Sequence, residues 1–261
     1  MDASWERRIR RAGQLAADNG AAAPLLAFYT RLLRRQKTIY DSLSVRRPSG
    51  DLDGDIAHLA RGGSALLREV AESGPDLLAA DARALLEADD STIASLLVAY
   101  WRAPSSRQFF PKAILQPYAQ WLADAGITPV GRTGPYAGNR CPFCGGLPQL
   151  SFLETVSAAT SADGGGRRLL CAVCLSTWPF RRVLCPGCGE EDEKKLGYFH
   201  TPALDFVRVD ACDSCHHYLK TVDRTRFGLA DPLVDEVAAA PLDLWAREHG
   251  YEKIELNLVG L

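Results

Sequence analysis

Cysteine is absent from the first 140 residues and from the last 46, so all eight cysteines lie between residues 141 and 215. The chain also lacks an apolar run of about 20 residues, the length that a helix needs to cross a bilayer. Its net charge of −2 provides no basic excess to neutralise a phosphate backbone. These absences argue against a membrane-inserted protein and against a nucleic-acid-binding protein.

The composition is that of a folded protein. Hydrophobic residues make up 47% of the chain and charged residues 24%, which is enough apolar material for a buried core and excludes disorder as the main state. The cysteine region is not basic, because residues 141–222 contain eight Lys or Arg and nine Asp or Glu. A length of 261 residues allows two domains.

Every cysteine belongs to a C-x-x-C pair. Two cysteines at this spacing can direct both sulfurs to one point, and two such pairs provide the four thiolates of a tetrahedral metal site. The sequence therefore predicts two metal ions per chain. The predicted ligands are Cys141, Cys144, Cys171, Cys174, Cys185, Cys188, Cys212 and Cys215.

The order of the pairs indicates which ones face each other. The first and third read C-P-x-C-G and end in Gly145 and Gly189, which can adopt the positive φ of a tight loop. The second and fourth are followed by Leu175 and His216. Because the two kinds alternate, we pair the first with the second and the third with the fourth. A cross-braced arrangement, first with third, is the alternative.

Other uses of these cysteines fit less well. Structural disulfides need an oxidising compartment, which nothing in the sequence indicates. A thioredoxin-like redox pair would be single and part of a βαβ unit. His216 and His217 follow Cys215 directly, but they would be surplus as ligands to a four-thiolate site. The ligand type is compatible with zinc, with a single iron and with an iron–sulfur cluster.

The sequence predicts an α+β protein with an all-helical N-terminal domain at 1–130. Leu25 to Tyr40 and Ile93 to Trp101 have helical periodicity, and we expect five to seven helices in total. Glycines and aspartates predict a loop over 46–63. Arg7-Arg8 and Arg10-Arg11 precede polar residues rather than an apolar segment, so the sequence predicts no export and a cytoplasmic location.

Residues 131–140 read as a linker, followed by two tandem rubredoxin-like or zinc-ribbon-type β units at 141–182 and 183–225. In the first unit, strands over 150–156 and 168–170 flank a turn over 161–166. In the second, strands over 196–200 and 206–211 form the hairpin. A C-terminal helix and tail occupy 226–261, with the helix opening at Asp231-Pro232 and ending near Gly250. Units this small need a structural metal to fold.

No arrangement of side chains typical of catalysis is visible, and a four-thiolate site lacks the open position that metal catalysis needs. The sequence therefore predicts a non-enzymatic protein. Protein binding is the ordinary use of such a scaffold, and we expect Arg181, Arg182 and Tyr218 to contribute exposed contacts. Offsetting the negative charge of the thiolate sites is the alternative role for Arg181 and Arg182.

The residues around the cysteines resemble the FdhE family, whose members are accessory proteins for the assembly of formate dehydrogenase. The resemblance rests on Gly166-Arg167-Arg168-Leu169-Leu170-Cys171, Thr177-Trp178, Arg181 and Cys212-Asp213-Ser214-Cys215 leading to Tyr218-Leu219-Lys220. It implies a cytoplasmic, non-enzymatic protein that binds the catalytic subunit of a respiratory formate dehydrogenase. It also implies two rubredoxin-type sites that favour iron, with zinc as the alternative.

Two other functions compete with this interpretation. One is a zinc-ribbon module that binds nucleic acid or belongs to a transcription complex, which the acidic balance of the cysteine region disfavours. The other is a rubredoxin-like electron-transfer protein, which would need an exposed metal site and a redox partner.

Overall fold

The structure is a computed structural model that describes residues 2–18, 20–105, 107–131, 138–155 and 166–261. The chain divides into two compact units, one mainly of Met1–Gly134 and the other mainly of the residues from Pro135 to Asn257. Most of the predicted linker, at 132–137, and most of the predicted turn, at 161–165, lie outside the described residues. Among the helices within these ranges, none is both long and apolar enough to cross a bilayer.

The first unit is helical, as predicted. Its described part contains six α-helices: α1 (Asp2–Asp18), α2 (Ala23–Ser44), α3 (Leu52–Ser73), α4 (Asp76–Glu87), α5 (Asp90–Arg102) and α6 (Phe109–Asp124). Helix α2 packs against α1, α3 and α6. The apolar stripe predicted for α5 is directed inward, since Leu97, Tyr100 and Trp101 are buried. Together these helices bury an apolar core.

The loop predicted over 46–63 is wrong from residue 52 onwards, where α3 begins. Gly62, within α3, serves close packing rather than a turn: a Cβ there would lie 2.6 Å from Cγ1 of Ile39. Its aspartates are also part of the packed structure. Asp55 is buried and accepts a hydrogen bond of 3.0 Å from the Tyr118 hydroxyl. Residue types typical of loops therefore became helical because tertiary contacts overrode local propensity.

The second unit is a sheet with two helices. Its described strands are β1 (Pro148–Leu153), β2 (Arg167–Cys171), β3 (Thr177–Pro179), β4 (Leu196–His200), β5 (Val207–Cys212), β6 (His217–Asp223) and β7 (Glu252–Lys253). The helices are α7 (Pro232–Ala238) and α8 (Ala240–Glu248). The strand order is β3-β2-β1-β6-β5-β4, and β7 also pairs with β6. The α+β architecture predicted from the sequence is therefore confirmed.

Both predicted hairpins are present as β1–β2 and β4–β5, and they belong to one sheet. Strand β6 joins them, since it pairs parallel with β1 and antiparallel with β5. The sequence pattern does not predict the strands β3, β6 and β7. The single helix predicted after Asp231 is two helices, with the break at Ala239, where ψ is 31°.

One face of the sheet is covered by α7 and α8, and a buried charge cluster lies there. Lys220 and Lys253 bond to Glu236 and Asp243, and all four side chains are inaccessible to solvent. Burial raises the pKa of Glu236, but the two lysines outweigh burial and hold this pKa at about 2. Two positive and two negative charges balance, which is the condition under which buried charges are tolerated.

Tyr218 also lies on this covered face, so its predicted role as an exposed contact is wrong. The side chain is 1% exposed, and its hydroxyl donates a 2.8 Å hydrogen bond to Asp243. Side chains alternate between the faces of a strand, and Tyr218 therefore shares the covered face with Lys220, two residues further along β6.

A hydrogen-bonded network lies on the opposite face. Asp210 accepts from the Thr221 hydroxyl at 2.6 Å and from Arg167 at 3.3 Å. Ser151 bonds to Thr221 and accepts a hydrogen bond from Arg167. The Arg167 guanidinium also donates to the carbonyl oxygens of residues 181, 182 and 184, which precede the third cysteine pair. This network anchors the approach to that pair on the sheet.

Candidate metal centres

The four C-x-x-C loops have the same backbone form. In each, the residue after the second cysteine has a positive φ: 69° at Gly145, 59° at Leu175, 81° at Gly189 and 55° at His216. Glycine adopts this conformation without cost, whereas Leu and His do not. The prediction for Gly145 and Gly189 is confirmed. The second and fourth loops make the same turn with an unfavourable residue.

Backbone hydrogen bonds close each loop. The amide of the first cysteine donates to the carbonyl five residues later at 2.9 Å, from Cys141 to Gly146, Cys171 to Ser176 and Cys185 to Glu190. In the fourth loop, Cys212 faces His217, five residues later, in the β5–β6 ladder. The amides of Gly145, Gly189 and His216 donate back to the first cysteine of their loops. The cysteine spacing therefore fixes the loop, and the loop fixes both sulfurs.

The loops combine into two groups of four sulfurs. Within each group, all Sγ atoms lie within 4.8 Å of one another. The Sγ atoms of Cys144 and Cys171 are 3.5 Å apart. In the second group, Cys185 to Cys215 and Cys188 to Cys212 each measure 3.7 Å. A metal with four sulfurs at about 2.3 Å has tetrahedron edges of about 3.8 Å, so both groups fit such an ion.

The grouping is sequential, as predicted, and not cross-braced. The first group, site 1, consists of Cys141, Cys144, Cys171 and Cys174, and the second, site 2, of Cys185, Cys188, Cys212 and Cys215. Neither group includes a histidine within the described residues. His217 instead shares a 2.8 Å hydrogen bond with the carbonyl of Cys215 through Nδ1. Each group can hold one metal ion.

Site 1 is enclosed. All four of its cysteines are buried. The residues on either side of its first loop are held by side chains: the Trp178 indole donates to the carbonyl of Gly138 at 3.1 Å, and Arg140 donates to the carbonyl of Gly145 at 3.1 Å. A metal at site 1 would therefore be screened from water.

Site 2 is partly open. Cys188 is exposed and Cys215 is half-buried, whereas Cys185 and Cys212 are buried. Glu190 connects the two loops, because its carboxylate accepts from the Ser214 hydroxyl at 2.5 Å. That hydrogen bond, with others from backbone amides, holds the pKa of Glu190 at about 2. The carboxylate is thus a permanent acceptor at the solvent side of site 2.

Further contacts support the loops of site 2. Asn139 donates to the carbonyl of Pro186 at 3.0 Å, and the Tyr251 hydroxyl donates to Asp213 at 2.6 Å. Asn139, Tyr251 and Glu190 are not among the residues singled out from the sequence. No motif marks them, because each contact joins segments that are distant in sequence. The one local signal was position, since Glu190 directly follows C-P-G-C-G.

Comparisons with known proteins point to one family name. Residues 183–259 match the family model described as FdhE, C-terminal domain. A "Protein FdhE homolog" of Aquifex aeolicus is 38% identical over 122 residues, which are 47% of this chain and 42% of that protein. A "Protein FdhE homolog" of Yersinia enterocolitica is 26% identical over 97% of this chain and 86% of its own length. The match to the Aquifex relative thus spans less than half of that protein.

A solved structure has the same fold. The crystal structure of the FdhE protein from Pseudomonas aeruginosa superposes with a TM-score of 0.70 at 22% sequence identity. The match covers 98% of this chain and 95% of that one, so it includes the helical unit as well as the sheet. The sequence matches confirm the resemblance inferred from the cysteine segment: the chain is similar to FdhE proteins, with the family model matching residues 183–259.

Proposed function

We propose that this chain is a non-enzymatic accessory protein for the assembly or maturation of formate dehydrogenase. It binds the catalytic subunit of that enzyme in the cytoplasm through a metal-stabilised scaffold. The observation that supports this most directly is the pair of four-cysteine groups within an FdhE-like fold. The identity of the partner is taken from the resemblance to the FdhE family.

All eight cysteines serve as ligands in this proposal, four to each of two metal ions. Iron is favoured by the family resemblance, and zinc is the alternative. Both suit a tetrahedral set of thiolates. A bound metal would supply a crosslink between two loops, so that strands from distant parts of the sequence become one rigid surface. The protein contributes the orientation of the sulfurs through the four closed loops.

Charge supports a protein partner over a nucleic acid. The chain has a net charge of −2, and four thiolates around a divalent ion would add further negative charge at each site. A phosphate backbone would be repelled rather than bound.

Anaerobic purification of the tagged chain from its own cell tests the proposal. We expect two metals per chain and co-purification of the formate dehydrogenase catalytic subunit. A double variant, Cys141→Ser with Cys185→Ser, removes one ligand from each site and should lose both metals and the partner. Capture of the subunit by this variant at the level of the wild type would contradict a role for the metal-stabilised scaffold.

A second candidate is electron transfer, favoured by the exposure of Cys188 at site 2. An iron-loaded site that is open to solvent could exchange one electron with a docked protein. Redox titration of the iron-loaded protein separates the two functions. Electron transfer requires that a physiological donor reduces the iron reversibly and at catalytic rates, which the colour change reports. At a purely structural site the donor produces no such reduction.

A further inference from the structure

A cavity of about 360 Å³ lies beside site 2 in the sheet unit. Its walls come from β4, β5 and β6 and from the chain over 182–186. This is the sheet face opposite α7 and α8. The volume lies within the range of about 300–1,000 Å³ that small-ligand and side-chain pockets occupy.

Arginines outnumber carboxylates in this cavity. Arg167, Arg182 and Arg208 line it, against Asp210 and Glu193. Asp210 serves two of the three guanidiniums, because it accepts from Arg208 at 2.7 Å as well as from Arg167. Among its Arg, Asp and Glu side chains the cavity therefore has one more arginine than carboxylates, and Cys185 and Cys212 also lie in its wall.

Arg208 has unused hydrogen-bonding capacity. Its Nε donates to Asp210, and its guanidinium lies 5.3 Å from the ring centre of Tyr198. Within the described residues, its two terminal nitrogens make no hydrogen bond. Guanidinium nitrogens pair well with carboxylates, which they can bind through two parallel hydrogen bonds. A ligand carboxylate would accept hydrogen bonds from the two terminal nitrogens of this half-buried guanidinium.

The cavity opens at an unpaired edge of the sheet. In the described part of the chain, β4 pairs only with β5, so its outer edge is bonded to no other strand. The amide of Leu196, at the start of this edge, donates to the carbonyl of Glu193. Tyr198 is 65% exposed at this edge and Phe199 is 37% exposed. An exposed edge strand is a template for an extended segment from another chain. Exposed Tyr and Arg are the residue types that dominate binding energy at interfaces.

We propose that the β4 edge and this cavity form the contact surface for an extended acidic segment of the partner polypeptide. The segment adds as a strand to β4. An Asp or Glu of the segment reaches Arg208 and Arg182, and an apolar neighbour packs on Leu196 and Tyr198. This inference rests on the proposed function, since it assigns where the partner subunit makes contact.

Binding of the purified catalytic subunit to the immobilised, metal-loaded chain tests the assignment. We expect Arg208→Gln and Tyr198→Ala to weaken Kd by about tenfold or more, because central Arg and Tyr residues of interfaces have effects of this size. Arg226→Gln is the matched control: this exposed arginine of the same unit bonds to the Asp205 carbonyl and does not line the cavity. Its Kd should stay within about twofold of the wild type.

A competing peptide tests whether the bound segment must be acidic. An octapeptide of alternating Glu and Thr should displace the subunit, and the same peptide with Gln in place of Glu should not. Displacement by the Glu-containing peptide should weaken with added salt, because salt screens the attraction between the peptide and the arginines. Equal displacement by both peptides would overturn the acidic character of the segment.

The variants also separate this assignment from a role of the arginines in offsetting thiolate charge. Only variants that keep two metals and the wild-type Tm are compared, and the exposed Tyr198 side chain can be removed without opening the core. If the wild type binds and Tyr198→Ala and Arg208→Gln bind equally well, the contact lies elsewhere and the inference fails, while the proposed function stands. If the wild type does not bind the subunit, the proposed function fails and the inference with it.

Discussion

Sites 1 and 2 are built from the same loop and differ in solvent access. Each has two C-x-x-C turns closed by similar backbone hydrogen bonds, and each brings four sulfurs within 4.8 Å. Yet all four sulfurs of site 1 are buried, whereas site 2 exposes Cys188 and half-exposes Cys215. The local motif therefore sets the geometry of the sulfurs, and the surroundings set their access to solvent.

This difference in exposure predicts different behaviour of metals bound at the two sites. A metal that is shielded on all sides exchanges slowly, because its ligands can leave only when the fold opens. A site with an exposed thiolate can react with solutes from the folded state. Site 1 is expected to act as a structural crosslink, and site 2 is the one that can respond to its environment. Four predictions test this contrast.

The largest effect is expected from removing one ligand at either site. Cys144→Ser should lose the site 1 metal and destabilise the sheet unit by more than about 4 kcal/mol, since loss of a metal belongs among the most severe single changes. Cys188→Ser should lose only the site 2 metal and become protease-sensitive mainly within 183–225. Metal analysis and limited trypsin digestion measure both effects. Equal resistance of Cys188→Ser and the parent would show that site 2 does not stabilise its surroundings.

Chelator treatment should empty the sites at different rates. We expect two kinetic phases of one metal each, with site 2 releasing its ion at least about tenfold faster because its loops are open to solvent. A chromogenic chelator follows the release. The fast phase should be missing from Cys188→Ser. A single phase of two metals would mean that the difference in exposure has no kinetic consequence.

Alkylation should report the same contrast residue by residue. With both metals bound, iodoacetamide should modify Cys188 before any other cysteine, at least about fivefold faster than Cys144, since modification follows exposure and thiolate character. Peptide mass spectrometry over a time course gives the individual rates. Modification of Cys144 at the rate of Cys188 would contradict the enclosure of site 1.

The smallest effect concerns the two unfavourable turn residues. A non-glycine residue at positive φ costs about 1–2 kcal/mol, and the greater freedom of unfolded glycine offsets about 0.5–1 kcal/mol of that. His216→Gly should therefore stabilise the metal-loaded protein by up to about 1 kcal/mol. Leu175→Gly relieves the same strain but loses a buried side chain, so it should destabilise the protein by about 1–3 kcal/mol. Thermal unfolding at fixed metal content measures both, and changes of the same sign would contradict the argument.

The sequence by itself determined the local parts of this protein. Four C-x-x-C pairs fix four closed turns, because the hydrogen bonds of each turn lie within six residues. The alternation of the pairs also predicted which turns face each other. Helical periodicity predicted a helical first unit, and β4 was predicted with its observed bounds.

Tertiary structure decided everything that depends on distant neighbours. The joining of the two hairpins into one sheet was not predicted because the pairing of β6 with β1 joins residues about 70 positions apart, such as Leu150 and Lys220. Tyr218 is buried because it lies on the face of β6 that the helices cover, and the sequence of the strand does not show which face is covered. Gly62 reads as a loop former until Ile39 is placed against it. Exposure of Cys188 and enclosure of Cys144 are likewise invisible in two nearly identical motifs, because burial depends on which other segments pack around a loop.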